Sequence, residues 1–116
     1  MTQNWDKEVD TLVVGSGAGG LLSALVAADN HADVLVIEKE AQWGGTSATS
    51  GAGIWIPNSD QARAAGFEDN VDDAFKYVRA LSKENVPDAN IRAFVENAAP
   101  MLSWVTNNTE IDYQAF

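Results

Sequence analysis

The sequence contains no cysteine and only one histidine, His31, among its 116 residues. Without thiols the chain can form neither a disulfide nor a cysteine zinc site, and we predict no metal centre. His31 falls where the first helix is expected to end, so we interpret it as an exposed loop residue. Redox or metal chemistry carried by these two residue types is therefore not expected.

Basic residues are also scarce, with 7 Lys and Arg against 17 Asp and Glu, for a net charge of −10. This balance argues against nucleic acid or anionic lipid as a partner, since both are polyanions. No run reaches the ~18 apolar residues that a membrane span requires. The N-terminus, MTQNWDKEVD, lacks the basic and apolar regions of a signal peptide. We predict a cytoplasmic protein, with membrane contact through a further domain left open.

The most informative stretch of the chain runs from Val9 to Glu38. A short apolar strand pattern at 9–14 is followed at once by Gly15–Gly20, which satisfies G-x-G-x-x-G. An Ala/Leu-rich helix pattern continues to Asp29, and a second strand pattern at 33–37 ends at Glu38. This order of strand, glycine turn, helix, strand and acid is typical of a dinucleotide site.

Each part of this pattern has a physical purpose. Gly15 permits a tight turn off the strand, and Gly20 permits close packing of helix on strand. Gly17 has no Cβ to keep a pyrophosphate from the backbone and from the positive end of the helix. Glu38 can accept hydrogen bonds from a ribose. The alternative is a glycine-rich turn in an ordinary βαβ unit, which the spacing of the acid makes the weaker interpretation.

The next segment, Lys39 to Asn58, is unusually rich in Gly, Ser, Thr and Ala. We predict a long loop here that runs flat along a ligand and donates N–H and O–H groups to it. A mobile Gly/Ser loop is the alternative. Four large apolar residues bracket the segment and are expected to anchor it: Trp43, Ile54, Trp55 and Ile56.

These residues resemble the N-terminal part of a flavoprotein family that contains 3-ketosteroid Δ1-dehydrogenases and soluble fumarate reductases. The resemblance is carried by three motifs, at Val13–Gly20, Val36–Lys39 and Gly44–Gly53. The continuation Ile54–Asn58 looks most like the ketosteroid dehydrogenase branch. The close likeness covers residues 9–58, and beyond them it rests mostly on helix pattern.

The resemblance implies an FAD site formed by four groups of residues, and because the chain has no cysteine and His31 lies away from these groups, we expect the FAD to be bound non-covalently. It implies Gly15, Ser16, Gly17, Ala18, Gly19 and Gly20 at the pyrophosphate; Glu38 and Lys39 at the adenosine ribose; Gly45, Thr46 and Ser47 at the pyrophosphate and ribityl chain; and Ser50, Gly51, Ala52 and Gly53 near the isoalloxazine. One departure is Asn30–His31, where the family often has glycine. Asn tolerates the left-handed conformation, so we expect Asn30 to preserve the turn.

The predicted fold class is α/β, with a Rossmann-like FAD-binding βαβ unit followed by a helical segment. We predict that residues 1–116 form the N-terminal part of an FAD-binding domain, divided into 8–58 for the cofactor and 59–116 for the helices. Proteins of this family are several times longer, so we expect a fragment or one chain of a larger assembly. The remaining part of the flavoprotein, or a partner chain, would then complete the site.

The helical segment gives three predicted helices. Asn70 is expected to cap the first, the second to begin at Pro87–Asp88, and a break at 97–99 to precede a third that begins at Pro100 and ends at Asn107–Asn108. The residues expected to face inward are Val71, Ala74, Phe75, Val78 and Leu81, then Ile91, Phe94, Val95 and Ala98; the third helix carries Met101, Leu102, Trp104 and Val105. Ser59–Asp69 is the predicted flexible connection.

The resemblance implies an FAD-dependent oxidoreductase that desaturates the A ring of a 3-ketosteroid between C1 and C2, with hydride passing to flavin N5. The family relies on tyrosines, and its first active-site tyrosine lies in a Tyr-x-Asp-Tyr segment that Tyr113 does not match. Tyr77 is interpreted as packing. No catalytic residue is therefore assigned, and the isolated chain is expected to be inactive.

Two alternatives stay open from the sequence. A related fumarate reductase-like enzyme would need an arginine-rich carboxylate clamp on another part of the protein, whereas a steroid enzyme would need an apolar cleft. A non-catalytic subunit or nucleotide-binding module that works only with a partner chain is the other. The identity of the steroid, the electron acceptor and the oligomeric state are not determined by these residues.

Overall fold

The structure is a computed structural model that describes residues 4–115. It contains two compact units that divide between Gly53 and Ile54. The elements are β1 (Thr11–Val14), α1 (Ala18–Asp29), β2 (Val34–Ile37), α2 (Gly45–Ala48), α3 (Asp60–Ala64), α4 (Val71–Ser82) and α5 (Asp88–Asn108). The sequence predicts a boundary between residues 58 and 59, with a cofactor-binding part before it and a helical part after it. This functional division stays a prediction.

The first unit contains the predicted βαβ arrangement, which confirms the α/β class. Strands β1 and β2 pair in parallel, with Thr11 opposite Val34 and Val14 opposite Ile37. Parallel neighbours need a crossover connection, and α1 supplies it. The runs TLVV and VLVI are rich in β-branched residues, which favour a pleated strand over a helix.

The turn from β1 into α1 depends on two glycines. Gly15 has φ +97°, and its N–H donates to the Ile37 carbonyl at 2.7 Å. A Cβ added to Gly20 would lie 2.2 Å from the Gly15 carbonyl oxygen. The tight turn and the close packing predicted for these two positions are therefore present.

The end of α1 differs from the prediction in one residue. Asn30 has φ −87°, and its side chain donates to the Val26 carbonyl at 2.8 Å. His31 is the left-handed residue, with φ +67°, and its N–H donates to the Ala28 carbonyl at 2.9 Å. The expectation for Asn30 is wrong because its side chain bonds back to the helix while the next residue makes the turn.

The second unit is helical and contains most of the buried apolar side chains. A cluster of Ala74, Ile91 and Val95 lies between α4 and α5, with Val71 and Phe75 packed against it. The side chain of Asn70 accepts the Asp73 N–H at 2.9 Å, which confirms the predicted cap of α4. Helix α5 begins at Asp88 and ends at Asn108, as expected for its outer ends.

The predicted break near residues 97–99 is wrong, because α5 continues through Pro100. The buried residues of α5 are Ile91, Val95, Ala98, Leu102 and Val105. Their spacing alternates four and three residues across the proline without a change of phase. One continuous apolar stripe therefore holds both halves of the helix on one surface, and this packing outweighs the hydrogen bond that proline removes.

The segment Ser59–Asp69, predicted as a flexible connection, contains α3 and is tied to its neighbours. Ser59 is buried and its hydroxyl accepts the Ala62 N–H at 3.2 Å. Asp69 accepts the Asn58 N–H at 2.8 Å, and Ser103 of α5 donates to Asp60 at 3.2 Å. The prediction is wrong because caps and polar contacts, which have no apolar period, order this segment.

Several large apolar residues predicted to face inward or to anchor the glycine-rich segment are instead exposed. These are Leu81, Phe94, Trp43, Ile54 and Trp55. Trp55 lies against the Tyr77 and Phe94 rings at centroid distances of 5.3 and 6.1 Å. The apolar faces of α4 and α5 are therefore narrower than the sequence pattern indicated. In the part of the chain that the structure describes, no helix has the length and apolar character to cross a membrane.

Candidate functional site

The N-terminus of α1 presents backbone N–H groups beside an open surface. Along the chain from Gly15, the first N–H that donates to a carbonyl of the glycine turn is that of Leu21, which bonds to the Gly17 carbonyl at 2.9 Å. Within residues 4–115, the N–H groups of Gly17 and Gly19 have no protein acceptor. An added Cβ on Gly19 would meet nothing within 4 Å, and one on Gly17 would meet only the Ser47 hydroxyl at 3.9 Å. Free donors, the helix dipole and space for a ligand are the features by which helix N-termini hold anions.

Ser16 lies beneath this surface and joins three segments. Its side chain is buried, and its hydroxyl donates to Glu38 Oε2 at 2.5 Å. The same hydroxyl accepts the Gly44 N–H at 2.9 Å, and the Ser16 N–H donates to Glu38 Oε2 at 2.9 Å. The glycine turn, the end of β2 and the start of α2 therefore meet at one hydroxyl. Sequence reasoning placed Ser16 at the pyrophosphate and missed this role of its side chain.

Glu38 is half-buried at the end of β2 and carries a negative charge. The Ser16 hydroxyl, followed by the Glu40 and Ser16 N–H groups, lowers the pKa of Glu38 from 4.5 to about 2. Hydrogen bonds donated to a carboxylate stabilise its ionised form, which explains the direction. Lys39 does not join this group: its side chain is exposed and pairs with Glu40 at 3.3 Å. Such an exposed ion pair contributes little.

The glycine-rich segment contains one helical turn, α2, where a flat loop was predicted. Gly44 and Gly45 make this possible because their φ values are +105° and +53°. A Cβ on Gly45 would lie 3.6 Å from the Gly17 Cα, so the two glycine segments approach backbone to backbone. Ser47 completes the contact by accepting the Ala18 N–H at 3.1 Å. The structure thus brings Gly45 and Ser47 to the glycine turn.

The last predicted group, Ser50 to Gly53, is exposed and lies beyond α2. The Ser50 hydroxyl donates to the Ser47 carbonyl at 2.8 Å and accepts the Ala52 N–H at 3.1 Å. Ala52 has φ +57°, which is strained for an alanine. Thr46 contributes its carbonyl to the Thr49 hydroxyl at 3.0 Å. These contacts shape the segment locally and do not connect Ser50–Gly53 to Glu38.

An open cleft of about 450 Å³ borders α2 in the same unit. Its lining residues are Glu40, Ala41, Gln42, Trp43, Gly45, Ala48 and Thr49. Of these, the sequence prediction placed only Gly45 in the site. Ala48 and Thr49 belong to the motif Gly44–Gly53 but have no predicted role in the site, and the position of α2 brings them together with residues 40–43.

The donor set fits the adenosine diphosphate part of FAD. Free N–H groups at a helix N-terminus suit a pyrophosphate, and an ionised carboxylate suits the hydroxyl groups of a ribose. Among the described residues there is no group of three His, Cys, Asp or Glu side chains that could hold a metal ion. The free N–H groups and the carboxylate are groups that bind and orient a ligand.

Known proteins match nearly the whole chain. A sequence profile for the family described as "FAD binding domain" matches residues 10–115. The 3-oxosteroid 1-dehydrogenase of Mycolicibacterium smegmatis is 38% identical over 105 residues, which cover 90% of this chain and 18% of that protein. The 4-oxocyclohexanecarboxylate 2-dehydrogenase of Sinomonas cyclohexanicum is 40% identical over 104 residues, with the same 90% and 18% coverage.

A solved structure gives the same result for the fold. The 3-ketosteroid Δ1-dehydrogenase of Sterolibacterium denitrificans, in complex with 1,4-androstadiene-3,17-dione, superimposes with a TM-score of 0.80 at 40% identity. The match covers 86% of this chain and 17% of that one. The chain therefore spans less than a fifth of the length of the relatives it matches.

Proposed function

This chain belongs to the family of FAD-binding domains, and from that membership we propose that it forms the N-terminal part of the FAD site of a 3-ketosteroid Δ1-dehydrogenase. The observation that carries the proposal is the open N-terminus of α1, where the N–H groups of Gly17 and Gly19 have no acceptor within residues 4–115 and the same turn contacts Glu38 and α2. FAD is the cofactor that this family binds. The absence of cysteine and the exposure of His31 support non-covalent binding.

Residue by residue, the proposal assigns the FAD pyrophosphate to the turn Gly15–Gly20. Gly17 and Gly19 donate backbone N–H groups, and Ala18 donates in turn to Ser47. Because Ser47 already lies 3.1 Å from the Ala18 nitrogen, its hydroxyl is close enough to share a phosphate oxygen with this turn. Gly45 and Thr46 follow the same surface toward the ribityl chain.

The adenosine ribose is assigned to Glu38, whose carboxylate is ionised at neutral pH. Lys39 is proposed beside it, where its exposed ammonium would act only as a mobile charge. Ser50, Gly51, Ala52 and Gly53 are proposed near the isoalloxazine. Gly51 and Gly53 support this, since added Cβ atoms would meet nothing within 4 Å and the backbone is open to a flat ring.

The proposed reaction removes two hydrogens from carbons 1 and 2 of a 3-ketosteroid A ring. The ketone acidifies the proton on C2, a base removes it, and a hydrogen-bond donor at the ketone stabilises the enolate. FAD, when bound, supplies the acceptor for the hydride that leaves C1. None of the residues described here is assigned as base or donor, so the contribution of this chain is to bind and orient the cofactor. A cytoplasmic location belongs to the same proposal.

A second candidate is favoured by the relative from Sinomonas cyclohexanicum, whose name specifies a ring ketone that also carries a carboxylate. Its identity to this chain, 40%, is similar to that of the steroid enzymes. Both candidates share dehydrogenation beside a ring ketone and differ in the rest of the substrate. The fumarate reductase-like alternative and the non-catalytic module stay predictions.

The test is to purify the full-length protein, record its visible spectrum, and assay flavin reduction with three substrates. A 3-ketosteroid should bleach the flavin bands, whereas 4-oxocyclohexanecarboxylate and succinate should not. Gly17→Val should abolish flavin content, since its Cβ would project into the open surface. Ala28→Val, at an exposed position of α1, is the matched control and should keep its flavin.

Each outcome decides between the candidates. Bleaching by 4-oxocyclohexanecarboxylate alone would select the second candidate, and bleaching by succinate alone would select the fumarate reductase-like enzyme. Flavin binding without any turnover would favour the non-catalytic module. A wild-type protein without flavin bands after incubation with FAD, or normal flavin in Gly17→Val, would overturn the proposed site.

A further inference from the structure

The Ser16 hydroxyl both donates and accepts a hydrogen bond inside the protein. The hydroxyl proton goes to Glu38 Oε2, and a hydroxyl lone pair accepts the Gly44 N–H. The side chain is only 2% exposed. A serine hydroxyl in a phosphate-binding turn can donate to a phosphate, but here the Ser16 hydroxyl already donates to Glu38 and is buried from solvent.

The backbone N–H of Gly44 depends on the Ser16 hydroxyl for its hydrogen bond. Gly44 is buried, and the Ser16 hydroxyl is the acceptor of its N–H. Gly44 stands at the start of α2 with φ +105°, and a Cβ there would lie only 2.6 Å from the Ala48 Cβ. Both facts require glycine at this position. If the hydroxyl is removed, a buried N–H loses its partner at the residue that positions Gly45 and Ser47.

Glu38 divides its two oxygens between separate tasks. Oε2 accepts both the Ser16 N–H and the Ser16 hydroxyl, which together account for its two lone pairs. Oε1 accepts the Glu40 N–H at 3.1 Å, and the Lys39 N–H gives only the weakest lowering of the Glu38 pKa, so Oε1 keeps capacity for an external donor. The carboxylate is therefore held by one oxygen and offers the other.

We propose that Ser16 is a positioning residue that assembles the cofactor site before FAD arrives. Its hydroxyl fixes Glu38 through Oε2 so that Oε1 is available to the ribose, and through Gly44 it holds α2 against the glycine turn. This inference rests on the proposed FAD site and adds the residue that couples its two halves. The Ser16 hydroxyl acts through Glu38 and Gly44 and does not itself bind the cofactor, although its backbone belongs to the turn assigned to the pyrophosphate.

The test is a double-mutant cycle in the full-length protein, with Ser16→Ala, Glu38→Ala and the double variant. The dissociation constant for FAD and the unfolding free energy without FAD are measured for each. Ser16→Ala should raise the Kd by roughly tenfold to a hundredfold, as expected when buried donors and a charged acceptor lose their partner. In the Glu38→Ala background the same change should have a clearly smaller effect, because the Glu38 route is already absent.

The control is Ser23→Ala, which removes an exposed hydroxyl that bonds only to the Gly19 carbonyl of its own helix. It should leave the Kd for FAD unchanged. Hydrogen exchange without FAD gives a second readout: the Gly44 amide should lose protection in Ser16→Ala and keep it in Ser23→Ala. If Ser16→Ala does not fold, the comparison of Glu38→Ala with wild type by the same exchange measurement replaces it, and unchanged protection around Ser16 and Gly44 then contradicts the proposal.

Failure of the inference and failure of the proposed function give different results. If wild type binds FAD but the factors by which Ser16→Ala and Glu38→Ala raise the Kd simply multiply in the double variant, Ser16 is only structural and the positioning role is wrong. An unchanged Kd in Ser16→Ala has the same meaning. If wild type binds no FAD, the proposed function fails, while coupling in the unfolding free energy still tests the link between Ser16 and Glu38.

Discussion

The two compact units of this chain are stabilised in different ways. In the first unit the only buried apolar side chain among the described residues is Ala24, and the other notable buried group is polar, Ser16. In the second unit the buried side chains of the described residues are apolar except for Ser59, and they lie mainly along α5 and at Ala74. The first unit is thus organised by glycine conformations and hydrogen bonds, and the second by packing.

The first unit also leaves much of its sheet in contact with solvent. Leu12, Val14 and Ile37 are 55%, 76% and 43% exposed, although parallel sheets are normally covered on both faces. Apolar area that stays in water contributes no burial energy to folding. This difference teaches that substitutions of equal size should act differently in the two units, according to whether they disturb packing or backbone geometry.

The largest effect is expected from Ile91→Ala in the core of the second unit. Ile91 is 2% exposed, and its truncation should lower the free energy of unfolding by about 2–5 kcal/mol because a cavity replaces the side chain. Urea unfolding combined with hydrogen exchange, read peptide by peptide, would locate the loss in α4 and α5. Leu81→Ala is the control: its side chain is 66% exposed, so a change within about 0.5 kcal/mol is expected. Equal losses from the two would contradict the assigned core.

In the first unit a single added methyl group should have the next largest effect. Gly20→Ala would place a Cβ 2.2 Å from the Gly15 carbonyl oxygen, and we expect a loss of about 1–3 kcal/mol from overpacking. Thermal unfolding measures it. Gly19→Ala is the matched control, since its Cβ would meet nothing and alanine favours a helix, with a gain of up to about 1 kcal/mol. A tolerated Gly20→Ala would mean that helix α1 does not pack as described.

A smaller effect, of opposite sign, is expected at Pro100. Because α5 continues through this exposed residue, Pro100→Ala should restore a helical hydrogen bond. Loss of proline also raises the conformational entropy of the unfolded chain, so the net gain in the free energy of unfolding should be about 1 kcal/mol. Pro87→Ala, just before the first turn of α5, should bring no such gain. Chemical denaturation compares the two. A loss of stability in Pro100→Ala would indicate that the proline ends one helix and begins another.

The smallest expected effect is the acid dependence of the first unit. The folded pKa of Glu38, about 2, lies below its ordinary value of 4.5, so the stability it contributes is present above about pH 4.5 and is lost as pH falls toward 2. Ser16→Ala removes the first cause of this shift and should flatten the dependence in that window. Unfolding followed between pH 2 and pH 6 tests it, with Ser23→Ala as the unchanged reference. An identical profile in Ser16→Ala would show that Glu38 does not depend on the hydroxyl.

Much of the first unit could be predicted because its signals are local. The strand pattern, the glycine spacing and Glu38 together indicated a βαβ unit, and the left-handed Gly15 and crowded Gly20 follow the expected pattern. The predicted roles of Gly15–Gly20 and Glu38 toward FAD are still proposals. The hydroxyl of Ser16 escaped prediction because its partners, Glu38 and Gly44, lie 22 and 28 residues away.

In the second unit the caps were predictable and the limits of burial were not. Asn70 and the start of α5 follow from short-range chemistry, as found. The continuity of α5 at Pro100 was not predictable from propensity, because a proline signals a break unless packing on both sides opposes it. Phe94 matches an inward apolar pattern, yet it is exposed because the packed face of α5 is narrower than the pattern. Trp55, predicted to anchor the glycine-rich segment, is exposed as well.

The sequence by itself determined the class of the fold, the βαβ order and the family, because glycine spacing and strand–helix periodicity are properties of neighbouring residues. Only the tertiary structure decided that His31 and not Asn30 makes the turn, that residues 59–69 are ordered, and that Ser16 joins Glu38 to Gly44. These features depend on contacts between residues distant in the chain or on competition between adjacent hydrogen bonds. Their free energies differ too little for residue type alone to reveal which arrangement prevails.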